Sequence, residues 1–171
     1  MEILKFIILV CIFLIFLVIG RKISGKYTYR LKELIEIKEI INNMKTKIRF
    51  TYSPIQEVFT DIENSTNSLG IQEIFKDARN NIKDLSGEEA WYKAVKNSQN
   101  TYLVKEDKEF LCSLGKSLGR TDIEGQLSQF NITEELMQKQ IENARNMKDK
   151  NEKLYNQLGA IVGLAVIIVL I

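Results

Sequence analysis

Hydrophobic and polar positions divide the 171-residue chain into three parts. Ile3 to Gly20 is apolar except for Lys5. As a helix rising about 1.5 Å per residue, that run covers roughly 27 Å, close to the hydrocarbon thickness of a bilayer. Leu154 to Ile171 is a second apolar run, with Asn156 and Gln157 near its start. Between the two, apolar residues recur at intervals of three and four, the spacing of helices with one buried face.

Leu34, Ile41 and Ile48, with Ile37 and Met44 between them, mark one stripe on a helix over 27–50. So short a repeat fits packing within the chain's own domain better than a coiled-coil dimer. Ser53-Pro54-Ile55-Gln56 reads as the start of a second helix, with Ser53 as cap and Pro54 at the first helical position. Val58, Phe59 and Ile62 join Ile55 on its inward face. After a polar turn at 64–68, Ile71, Ile74, Phe75, Ala78, Ile82 and Leu85 predict a third helix. Ser86-Gly87-Glu88-Glu89 is a capping box opening a fourth, with Ala90, Trp91, Ala94 and Val95 inward. A polar loop at 96–102 leads to a fifth helix over 105–118, with Phe110, Leu111, Leu114 and Leu118 inward. The sixth begins at Asp122, where Ile123, Phe130, Met137 and Ala144 repeat at seven, joined by Leu127 and Ile141. No segment alternates with period two for long enough to make a strand.

The fold class is therefore all-α: a six-helix bundle flanked by N- and C-terminal transmembrane helices. The expected organisation is an anchor over 1–22, a helical domain over 23–153 and a second membrane helix over 154–171.

The apolar N-terminus reads as an uncleaved anchor. Glu2 beside Lys5 makes a poor basic region for a signal peptide, no small-residue cleavage site follows, and Cys11 lies inside the run after Val10. Ser24-Gly25, just beyond it, is a place where the helix can bend. In the second run, Gly159 and Gly163 form a small-xxx-small pair suited to close packing in lipid, although glycine is also simply common in membrane helices. Arg21, Lys22, Lys26, Arg30 and Lys32 follow the first run, and Lys148, Lys150 and Lys153 precede the second. By the positive-inside rule these cations place residues 21–153 in the cytosol and both termini outside.

The segment Leu111 to Glu124 reads as a helix end, a tight corner and a helix start. Gly119 suits the left-handed position just past a helix, and Thr121 with Glu124 makes a capping box. Gly115-Lys116-Ser117 echoes a phosphate loop, but Phe110 occupies the position where that loop needs its first glycine. The corner is expected to be structural.

Composition narrows the chemistry. Formal net charge is +2, which gives no case for nucleic acid, and histidine is absent. Cys11 and Cys112 are the only cysteines, too few for a disulfide framework or a thiolate metal site. No metal ligands cluster, and no nucleophile–base pair can be assembled. The acidic pairs Glu88-Glu89 and Glu134-Glu135 fit helix starts or solvated faces. No cofactor, small-molecule substrate or catalytic residue is expected.

LGKSLGRTDIEGQ at 114–126 and NEKLYNQLGAIVGLAVIIVLI at 151–171 resemble the stage III sporulation protein AB family, as do Ser53-Pro54-Ile55 with Phe59 and SGEEAW at 86–91. The resemblance covers essentially the whole chain. That family is similar to the cytosolic domain of the type II secretion F platform protein. The resemblance implies a compact six-helix domain and a role in the trans-envelope channel between mother cell and forespore, in the outer forespore membrane. It also implies a neighbour like the stage III sporulation AA ATPase, other channel components as partners, and no ATP hydrolysis by this chain. Arg120 and Asp122, flanking the corner, are the expected partner contacts. The competing function is a two-span membrane receptor or regulator, although receptors usually hold their sensing domain outside.

Overall fold

Few β-branched runs and a single proline leave long stretches of this chain free to be helical. The computed structural model describes residues 2–51, 54–116, 118 and 123–170. Among them are six helices and no strand. These are α1 (Glu2–Thr51), α2 (Ile55–Ser65), α3 (Leu69–Asn81), α4 (Gly87–Asn97), α5 (Lys105–Gly115) and α6 (Ile123–Leu170). The chain divides into two compact units, Met1–Leu31 with Asn143–Ile171, and Lys32–Glu142.

In the unit Lys32–Glu142, the periodic residues are the core. Leu34, Ile37, Ile41, Met44 and Ile48 of α1 are buried, with Val58, Phe59 and Ile62 of α2, Ile71, Ile74, Phe75 and Ala78 of α3, and Ala90, Trp91, Ala94 and Val95 of α4. Leu111 and Leu114 of α5 and Phe130, Met137 and Ile141 of α6 complete it. Ile55, Ile82, Leu85, Phe110 and Leu127 depart from expectation and are only half-buried. Phe59, Phe75 and Trp91 form an aromatic cluster, with centroids 5.4, 5.7 and 5.1 Å apart. Each such ring contributes roughly 1.5–3 kcal/mol through burial alone. On the flank, Lys38 Nζ donates to Gln138 Oε1 at 2.7 Å, and Lys45 Nζ reaches Glu134 Oε2 at 3.0 Å, linking α1 to α6. Lys47 pairs with Asp61 between α1 and α2.

Helix ends show where local chemistry was read well and where it was not. The Ser86 box is present: Glu89 N–H donates to Ser86 Oγ at 3.2 Å, and Ser86 N–H to Glu89 Oε2 at 3.3 Å. Pro54 is the N-cap of α2, not its first helical residue. Its ψ of 142° is extended, while its carbonyl already accepts Val58 N–H at 3.2 Å. Ser53, expected as that cap, lies outside the described residues. The third helix ends at Asn81 rather than near Leu85, and Leu85 N–H closes the following turn on Asn81 O at 2.9 Å. The fifth ends at Gly115 rather than Leu118, and Leu118 N–H donates to Gly115 O at 3.0 Å in a tightened turn. Glycine is a weak helix former, and the three-residue bond satisfies a carbonyl that the helix leaves open.

In the other unit, α1 continues through Ser24-Gly25 without interruption. The Ser24 hydroxyl donates to Arg21 O at 3.0 Å.

Candidate functional site

Two places concentrate unusual side-chain arrangements, one in each unit. The first is the pairing of the apolar helices. α1 and α6 each contain an 18-residue stretch apolar enough to cross a membrane, with mean hydropathy 3.2 and 1.8. Only 6% of each stretch is buried. A soluble core helix hides its apolar residues, so these stretches have the exposure that lipid requires.

Glycines set how closely the pair approaches. A Cβ on Gly20 would lie 2.7 Å from Tyr155 O, and one on Gly159 2.8 Å from Phe16 O. A Cβ on Gly163 would meet the Phe13 ring at 2.8 Å and Phe16 Cβ at 3.3 Å. Gly20 thus lies against Gly159, a contribution from the first run that the spacing within the second run does not display. Asn156, polar at the edge of an apolar run, accepts the Ser24 hydroxyl at 3.2 Å. Tyr27 stacks on Tyr155 at 6.1 Å. Arg30, buried, donates to Met147 Sδ at 3.2 Å. The antiparallel register therefore matches Gly20 with Gly159, Ser24 with Asn156 and Arg30 with Met147.

The second place is the end of α5. Trp91 is 2% exposed and donates its indole N–H to Leu111 O at 2.6 Å, so the lone tryptophan is a core residue. Gly115 lets the indole in: a Cβ there would fall 2.5 Å from Trp91 Cδ1. Lys116 is exposed at the C-cap of α5, its N–H donating to Ser113 O at 3.3 Å. A phosphate loop feeds the N-terminus of a helix, where the dipole is positive; Lys116 stands at the opposite, negative end. The geometry is a helix stop. Gly119, Arg120, Thr121 and Asp122 lie outside the described residues.

Beside this stop, an open groove of about 800 Å³ runs between α4 and α5. Its lining includes Glu89, Tyr92, Lys96, Glu109, Cys112 and Lys116. Burial pushes the Cys112 thiol above its ordinary range, only partly offset by Lys96, so it is a poor nucleophile. Charges of both signs line the groove. Among the described residues, no group of three or more acidic or cysteine side chains could hold a metal ion.

Glu33 and Asp107 were not singled out by sequence reasoning, since an acid beside an apolar stripe reads as solvated. Glu33 is 5% exposed. Its carboxylate accepts the Tyr102 N–H at 2.7 Å and the Ser68 hydroxyl at 3.0 Å, tying α1 to the turn before α3 and the loop before α5. Glu36 accepts the Asn67 N–H at 2.6 Å on the same turn. Asp107, fully buried, accepts the Val104 N–H at 3.0 Å at the start of α5. Burial holds the Glu33 carboxyl above the usual range; the bonds from Tyr102 and Ser68 oppose this, and Glu36 and Asp107 add to it.

A helical domain accompanied by two apolar, lipid-type helices defines a membrane-anchored all-α protein. The chain belongs to the stage III sporulation protein AB family, whose sequence model matches residues 5–171. It is also similar to a solved structure of stage III sporulation protein AB, with a TM-score of 0.65 at 15% identity, over 71% of this chain and 98% of that one. At that identity the likeness is one of fold. No curated protein matches the chain. Family membership makes this a sporulation membrane protein.

Proposed function

We propose that the chain is a non-enzymatic platform in a sporulation trans-envelope channel, coupling a secretion-type ATPase to membrane components. The observation that carries the reading is the pair of exposed apolar stretches, one in α1 and one in α6, in a chain whose residues Lys32–Glu142 build a packed core of their own. Two helices that meet backbone to backbone at Gly20 and Gly159, with Gly163 against the Phe13 ring, would form a firm anchor, as a scaffold under load requires. The cations bordering both apolar stretches support a cytosolic helical domain, on the side where an ATPase works. The two-span anchor, this orientation, the outer forespore membrane and the AA-type ATPase partner are parts of the same proposal.

The test is recruitment. Full-length chain in membranes should retain the co-expressed AA-type ATPase on affinity purification. Charge reversal at Arg120 and at Asp122 should weaken retention without lowering the melting temperature. In a host where the chain sits in the plasma membrane, a protease site placed in the loop before α5, at 98–104, should resist protease added to intact cells. Cleavage there would reverse the orientation and favour a receptor; unchanged retention in both variants would remove the corner as the contact.

A further inference from the structure

We propose that the membrane unit carries a cationic collar that binds the phosphates of anionic phospholipid headgroups. This rests on the reading that the two apolar stretches span a bilayer. Arg21, Lys22 and Lys26 belong to α1, and Lys148, Lys150 and Lys153 to α6, far apart in sequence. The helix pairing brings them to one level. Arg30 meets Met147, and Ser24 meets Asn156. Between those contacts lie Lys26 on one helix and Lys148, Lys150 and Lys153 on the other. Arg21 and Lys22 lie in the next turn, between Ser24 and the Gly20–Gly159 contact.

The acids at this level are already engaged. Lys148 pairs with Asp149 at 3.8 Å and with Glu152 at 3.1 Å. Arg21, Lys22, Lys26, Lys150 and Lys153 are exposed, and among the described residues no carboxylate bridges to them. Exposed Ile19, Ile23, Leu154 and Leu158 adjoin these cations on the side of the apolar stretches. A soluble anion satisfies only the charges. A phospholipid satisfies both surfaces, its phosphate on the ammonium groups and its acyl chains on the apolar flank. Lysine stems can lie along apolar surface with their heads at headgroup depth, and the stacked Tyr27 and Tyr155 rings suit the same depth. Juxtamembrane clusters of this size attract anionic lipid within about one Debye length of the surface.

The experiment uses the full chain in neutral detergent, with lipid binding read by native mass spectrometry and by melting temperature. The probes are phosphatidylglycerol, phosphatidylcholine and inorganic phosphate. Phosphatidylglycerol should bind about tenfold more tightly than phosphatidylcholine and raise the melting temperature, an advantage lost in high salt. The combined variant Lys22→Gln/Lys26→Gln/Lys150→Gln/Lys153→Gln should bind both lipids alike while melting as the parent does in phosphatidylcholine. Lys83→Gln/Lys93→Gln/Lys139→Gln, in the other unit, should keep the preference. Equal binding of the two lipids by the parent, an undiminished preference in the first variant, or equal protection by inorganic phosphate would overturn the collar. Carbonate extraction of native membranes separates this from the reading beneath it. A chain that stays in the membrane but lacks the preference refutes the collar alone; a chain that carbonate releases refutes the spanning anchor and the collar with it.

Discussion

Gly115→Ala is the sharpest perturbation of the helical domain, because two known effects oppose each other there. Alanine in place of glycine within a helix ordinarily gains up to about 1 kcal/mol, and less at a terminal position such as this one. Against that, the new Cβ would sit 2.5 Å from Trp91 Cδ1, 3.2 Å from Cγ and 3.3 Å from Cβ. These atoms lie at the root of the indole, so a rotation of the ring tip cannot clear them. The indole is also packed against Phe59 and Phe75 and tied to Leu111 O. Overpacking of this kind costs about 1–3 kcal/mol, and misaligning the indole bond costs about 1 kcal/mol more. Overpacking wins, with a net destabilisation of about 2 kcal/mol. For a chain of this size that lowers the melting temperature by roughly 4–8 °C. Trp91 is the only tryptophan, so its fluorescence follows the melt and reports directly on the affected side chain. Ser113→Ala, on the exposed face of the same helix, should leave the melt within about 0.5 kcal/mol of the parent. In a double-mutant cycle, Gly115→Ala should be less costly in a Trp91→Ala background, where the clashing Cδ1 and Cγ atoms are gone. A Gly115→Ala protein at least as stable as the parent would refute the close approach.

Two further outcomes follow from other contacts. The Glu33 carboxyl is raised above its ordinary 4.5, so protons bind the folded form more strongly and stability falls as pH climbs from about that value through the folded one. Glu33→Gln keeps an acceptor for Tyr102 and removes the buried charge. Its melting temperature should therefore gain on the parent as pH rises from 4 to 8, and a difference constant with pH would refute the assignment. Gly163→Leu should lower the melting temperature of the full chain in detergent and expose α6 to protease, because the side chain would enter the Phe13 ring. Leu164→Ile, on an exposed position, should do neither, and equal effects would make the glycine contact incidental.

The all-α class was legible in the sequence because amphipathic helices advertise themselves locally. A buried face repeats every three to four residues, so Leu34 to Ile48, Phe59, Phe75 and Phe130 could be assigned to the core without knowing what they touch. The Ser86 box and the apolar stretches are local in the same sense. Helix ends at Pro54, Asn81 and Gly115 were read less well, since a boundary depends on which carbonyls find partners beyond the helix. The tertiary structure decided the rest. Glu33 becomes a buried tie only when Ser68 and Tyr102 arrive from segments distant in sequence. Gly115 matters only because the indole of Trp91 leans into it. Gly20 meets Gly159, and Asn156 finds Ser24, only once the two ends of the chain lie antiparallel. Periodicity along one helix records which face is turned inward; it carries no information about the backbone or side chain that will occupy the other side of the contact.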